Sequence, residues 1–209
     1  MRIIEPSVGV LSEINGPELL KAIERAGRTC YKSDQRITDS SAPAFVRALI
    51  KNGHHAMLEH APAISLIFIC DRGVSHEVVR HRLFSFAQES TRYCNYSKKK
   101  FNNELTFIKP CFWDQSSDPY LAWLSAMETA ERIYLELLNK HGAKPEQARD
   151  VLPMSIKTEL VVTGNVREWR HFFKLRTAKD AHPQIRQIAG MALEILREKI
   201  DVIFDDITE

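Results

Sequence analysis

Apolar residues return at helical spacing along several stretches of the 209-residue chain. Over residues 17–28, Leu19, Ile23 and Ala26 recur every three or four positions, which predicts a helix with one buried face. Residues 42–52 repeat the pattern through Phe45, Ala48 and Leu49, and Gly53 stops it. A long helix is predicted from Ser117-Asp118-Pro119 to about His141, with Trp123, Met127, Ala130, Tyr134 and Leu137 inward, proline in its first turn and Gly142 beyond its end. Residues 145–151 read as a short helix halted at Pro153. Asn165 caps an amphipathic helix to about Arg176, and residues 183–204 form a terminal helix with Ile185, Ile188, Ala192, Ile195 and Leu196 inward.

Strands are fewer. Residues 63–70 are short, apolar and partly β-branched, which fits a buried strand. Asp71 then caps a helix that turns Val74, Val78 and Val79 inward, with Glu77 three residues before Arg80 and four before His81. Residues 158–163 read as a second strand, and residues 84–100 lose helical periodicity and read as extended and polar. No linker, repeat or low-complexity stretch divides the chain, so the expectation is one α+β domain over residues 1–209, with mixed helices and a central, mainly antiparallel sheet.

Composition agrees with a packed protein: 44% of residues are hydrophobic and there are eight Gly and nine Pro. No apolar run approaches the roughly 20 residues of a membrane span. The first residues lack the apolar core of a secretory signal, so a cytoplasmic location without membrane association is expected. Cys30, Cys70, Cys94 and Cys111 form no Cys-x-x-Cys pair and read as reduced thiols.

Charge sharpens the picture. The net charge of +2 conceals two basic segments, +5 over residues 80–100 and +4 over residues 167–186, in a remainder that is acidic by seven charges. That distribution suggests local anion sites and disfavours a broad nucleic-acid surface. A rival reading keeps Phe84, Phe86, Tyr93 and Tyr96, interleaved with basic residues, as a base-stacking platform for RNA. The chain holds no Gly-x-Gly, Gly-x-Ser-x-Gly or His-Glu-x-x-His, so any nucleotide would be held by side chains and by strand or loop amides.

The densest chemistry is Arg80-His81-Arg82, followed after seven residues by Ser90 and then Thr91-Arg92-Tyr93. Guanidinium groups offer a rigid fork of donors suited to phosphate and to paired carbonyl oxygens. The spacing Arg-His-Arg-x7-Ser resembles the signature of the flavin-dependent thymidylate synthases. Further segments are similar to that family in the same order: Gly53-His54 with Glu59-His60, Ala148-Arg149 with Leu152-Pro153, and Asn165-Val166-Arg167 with Leu175-Arg176.

The resemblance implies reductive methylation of dUMP to dTMP, with methylenetetrahydrofolate as carbon donor and NADPH as reductant through bound FAD, and no cysteine nucleophile. By the same resemblance Arg176 and His54 are the catalytic candidates, Arg176 at the pyrimidine and His54 beside the flavin or folate. Arg80, His81, Arg82, Gln88, Asn165, Val166, Arg167 and His171 match flavin positions. Glu77, Arg80, Gln88, Glu89, Ser90, Thr91, Arg92, Arg149 and Arg176 match substrate positions, with Arg92 and Arg149 at the phosphate. Glu77 stands where several members have Gln, and neither Asp180 nor His182 reproduces the family's histidine after Leu-Arg. A homotetramer with active sites shared between subunits is implied as well, and no metal is expected, because His54, His55 and His60 lack complementary ligand spacing.

Overall fold

The computed structural model describes residues 1–207. In chain order the elements are β1 (Arg2–Ile4), β2 (Ser7–Val10), α1 (Gly16–Thr29), α2 (Ala42–Lys51), β3 (Ile64–Asp71), α3 (Arg72–Val78), β4 (Ser85–Gln88), β5 (Thr106–Ile108), α4 (Asp118–Asn139), α5 (Pro145–Ala148), β6 (Lys157–Gly164), α6 (Val166–Arg176) and α7 (Pro183–Lys199). Short 3-10 turns occupy Asp34–Arg36, His55–His60, Lys99–Phe101 and Arg149–Val151. Four strands form a mainly antiparallel sheet in the order β2-β3-β6-β4, and β1 pairs in parallel with β5, Ile3 opposite Phe107. The fold class is α+β.

Contacts divide the chain into two compact units. The first holds Met1–Ser7, Phe68–Arg80 and Ala87–Leu160; the second holds Val8–Ile67, His81–Phe86 and Val161–Glu209. Strands β2, β3, β4 and β6 each contribute residues to both.

In the first unit α4 supplies the core. Its buried Tyr120, Trp123, Met127 and Tyr134 pack with Tyr96, Leu105 and Phe107. Ser117 caps this helix by accepting from the Tyr120 amide, and Trp123 Nε1 donates to Ser155 Oγ at 3.0 Å. In the second unit α6 and α7 pack together, and the rings of Trp169, Phe172, Phe173 and Phe204 form an aromatic cluster with centroids 5.4–5.8 Å apart. The indole of Trp169 also donates to the Ile64 carbonyl, which ties α6 to the start of β3.

Some boundaries and faces depart from the sequence expectation. On α2 it is Val46 with Leu49 that is buried while Ala48 is exposed, because the helix seats its bulkier side chain inward. On α7 Leu193 is fully buried and Ile195 only half-buried. This helix ends at Lys199 rather than Phe204: Ile200 is extended and Val202 takes a positive φ of 61°. The buried Ile200, Ile203, Phe204 and Ile207 keep helical spacing in sequence although the chain has left the helix. Residues 145–151 split into α5 and a 3-10 turn. Within residues 84–100 only Ser85–Gln88 is a strand.

Candidate functional site

The second unit carries a cationic hollow at the start of α6. Asn165 caps this helix, its side chain accepting from the Glu168 amide at 2.9 Å, and the flank of the helix that follows faces the hollow. An open cavity of about 560 Å³ there is lined by His55, Glu59, Leu83, Asn165, Arg167, Glu168, Arg170, His171 and Lys174. Three of the flavin candidates, Asn165, Arg167 and His171, are therefore on one wall. Arg167 pairs with Glu59 at 2.6 Å, both about half exposed. His54 is exposed and precedes the 3-10 turn that brings His55 and Glu59 to the rim. Val166 is fully buried and offers a ligand only its backbone, since its side chain faces the core.

His81 sits beneath this surface. Its side chain is 4% exposed and lies edge-on to Phe172, with centroids 5.1 Å apart, and near His171 at 5.8 Å. Arg176 Nε donates to its Nε2 at 3.0 Å, and Glu168 Oε1 stands 3.7 Å from its Nδ1. Burial, then the charges of Arg176 and His171, push the imidazole down to about 4, so it is neutral. Burial likewise raises Glu168, against the opposing pull of His171 and Arg167. The flanking Arg80 and Arg82 are exposed.

The first unit holds the other candidates. Gln88 donates through Nε2 to Ser75 Oγ and Thr158 Oγ1, at 2.9 and 3.2 Å. Glu89 is more deeply committed: Tyr96 Oη donates to one carboxylate oxygen at 2.8 Å and Lys157 Nζ to the other at 3.0 Å. Its carbonyl accepts from Arg72 at 2.7 Å and its amide donates to the Glu159 carbonyl. Glu89 thus braces the stretch that presents Ser90, Thr91 and Arg92. Ser90 opens a turn, its carbonyl accepting from the Tyr93 and Cys94 amides. Arg92 Nε reaches Glu146 on α5 at 3.2 Å, and Arg149, exposed one turn further on, shares that neighbourhood. Glu77 is half-buried on α3 and Arg80 follows the end of that helix, its amide donating to the Glu77 carbonyl.

Sequence reasoning did not single out Glu168, Arg170 or Lys174 in the second unit, or Arg72 and Lys157 in the first, and it named His55 and Tyr96 only for other readings. Lys174 and Arg170 lie inside the basic segment that charge counting found, four or fewer residues apart, so helical phase on α6 was the available signal. Arg72 and Lys157 had none. Among the described residues no cluster of three or more His, Cys, Asp or Glu is arranged to hold a metal ion, and no helix is long and apolar enough to cross a membrane.

An α+β chain whose open hollow is lined by Arg167, Arg170, Lys174 and two histidines has the chemistry to meet an anion. Comparison with known proteins makes the class specific. The family model for thymidylate synthase complementing protein matches residues 10–200. A flavin-dependent thymidylate synthase of Corynebacterium aurimucosum is 36% identical over 200 residues, covering 88% of this chain and 78% of its own. The enzyme of the same name from Pyrococcus furiosus is 34% identical, covering 84% and 71%. Among solved structures, a UMP/dUMP methylase, PolB from Streptomyces cacaoi, bound with 5-Br dUMP, superposes with a TM-score of 0.78 over 97% of this chain and 95% of that one, at 22% identity. The chain belongs to the flavin-dependent thymidylate synthase family.

Proposed function

We propose that the protein methylates dUMP to dTMP, drawing its carbon from methylenetetrahydrofolate and its reducing equivalents from NADPH through bound FAD. Family membership carries this reading, and the arginines of both units support it. The cavity at α6 suits a flavin diphosphate: Asn165, Arg167, Lys174 and His171 face it without a glycine-rich loop. Arg167, Asn165 and the Val166 backbone hold the cofactor in this reading, together with Arg80, Arg82, His171 and Gln88, while His81, also matched to a flavin position by the resemblance, is only 4% exposed and acts from behind this surface. FAD, when bound, supplies the hydride chemistry.

The protein's own residues bind and orient. Arg149 and Arg92 take the dUMP phosphate, Ser90 and Thr91 add hydroxyl and amide donors, and Glu77, Gln88 and Glu89 shape the pyrimidine site. Arg176 faces the uracil carbonyl side and stabilises negative charge as C5 becomes nucleophilic, a contribution of about 3–4 kcal/mol for one aimed donor. His54 positions the folate or the flavin ring. No cysteine nucleophile is required in this reading. A homotetramer with shared sites accompanies the reading.

The test is direct. Purified protein should show flavin absorption and convert dUMP, methylenetetrahydrofolate and NADPH to dTMP; a colourless protein that makes no dTMP rejects the proposal. Arg176→Ala should abolish dTMP formation and keep the flavin.

A further inference from the structure

We infer that His81 is a positioning residue for Arg176, its imidazole Nε2 being the acceptor that sets the direction of the guanidinium. The inference rests on the role given to Arg176 above and goes beyond it, to how that arginine is held.

An arginine has four rotatable bonds, and a guanidinium that must meet a planar base needs its orientation fixed to within about 10–20°. On α6, Glu168, Phe172 and Arg176 follow one another at four-residue intervals, so carboxylate, ring and guanidinium form a row on one helix face. His81 lies across this row. Its ring edge meets Phe172 at 5.1 Å and Phe84 stands 6.2 Å away, so neighbouring rings limit how it can turn. Arg176 Nε is always a donor, which makes Nε2 of His81 the acceptor and places the imidazole proton on Nδ1. Glu168, 3.7 Å from Nδ1, favours that tautomer electrostatically. Glu168, His171 and Arg176, which face the ring, all come from α6, and burial foremost, then the charges of Arg176 and His171, keeps the imidazole neutral. With Nε committed, rotation about the Cδ–Nε bond is fixed and the Nη edge acquires one direction.

Histidine meets two demands at once: a flat ring for the aromatic packing and an acceptor at its far edge. The two can be separated. His81→Phe keeps the ring and removes the acceptor; His81→Gln places an amide oxygen near the Nε2 position and gives up the ring. With flavin content and circular dichroism monitored, His81→Phe should lower kcat for dTMP about 100-fold, the order expected for a misplaced catalytic group, while His81→Gln stays within about tenfold of wild type. The Arg176 Nε–Hε resonance should be protected from exchange in wild type and His81→Gln and exchange rapidly in His81→Phe. Equal activity of His81→Phe and wild type, or a loss in His81→Gln as large as in His81→Phe, overturns the inference. Should His81→Phe fail to fold, the wild-type imidazole nitrogen shifts decide: an unprotonated Nε2 supports the role, and a proton on Nε2 ends it. These resonances are read without turnover, so failure of the dUMP reading would be seen separately, as a wild-type protein that makes no dTMP.

Discussion

At the scale of single residues, the deciding quantity is how each polar group is already satisfied. Glu89 and Arg176 illustrate opposite cases. Both carboxylate oxygens of Glu89 are engaged by Tyr96 and Lys157, so it holds the backbone that carries Ser90 and Arg92 and would shape the pyrimidine site through that backbone. Arg176 has its Nε held by a histidine that burial keeps neutral, so that contact orients the guanidinium without being an ion pair. The neutrality of His81 has a measurable signature. Because burial lowers its folded value from 6.5 to about 4, the unfolded chain takes up a proton that the folded one refuses between those pH values. Its contribution is therefore intact above about 6.5 and falls as the pH drops toward 4. A nuclear magnetic resonance titration should find His81 uncharged down to about pH 4; an ordinary midpoint near 6.5 would contradict the buried geometry.

At the scale of elements, the junction from β6 to α6 shapes the cavity proposed for the flavin. Gly164 ends the strand, and a Cβ there would lie 2.1 Å from the Phe84 ring, so only glycine lets this aromatic close over the turn. Asn165 then caps the helix whose flank, through Arg167, Arg170, His171 and Lys174, lines the cationic hollow. Asn165→Ala should cost about 1 kcal/mol in denaturant unfolding and weaken flavin binding, since the freed amides lose their alignment. Much of this element was legible in sequence: the cap residue, the amphipathic period and the basic face all appear in residues 165–176. The short strands β1, β2 and β5 were not, because three or four residues cannot display a period-two pattern. Their pairing depends on partners distant in the chain, as Ile3 with Phe107 shows.

At the scale of the whole chain, the C-terminal stretch locks α6 from behind. Arg170, 4% exposed, holds Asp206 through both guanidinium nitrogens at 2.6 and 2.7 Å and also bonds the Ile203 carbonyl. Arg170 lines the hollow as well, so this clamp couples the tail to the site. Asp206→Ala should destabilise the protein by about 1–3 kcal/mol, less than the roughly 3–5 of a fully buried pair because Asp206 is half exposed. The Arg170 hydrogen bonds hold the Asp206 carboxyl below its ordinary value, so this stabilisation is present above the usual carboxylate range and is lost as the pH falls through the lower folded value. Thermal melts of wild type and variant should therefore converge in strong acid.

The sequence by itself determined the long helices, the caps at Asn165 and Asp71, the two cationic segments and the family motif, because these are written in near-neighbour spacing. Only the tertiary structure decided which polar groups are consumed internally. Glu89 turned out to be braced, Val166 buried, Glu168 set against His81, and Arg176 joined to a histidine 95 residues earlier in the chain. Such pairings follow from where the chain returns on itself, and a hydrogen bond of 3.0 Å between distant residues leaves no periodic trace in the sequence.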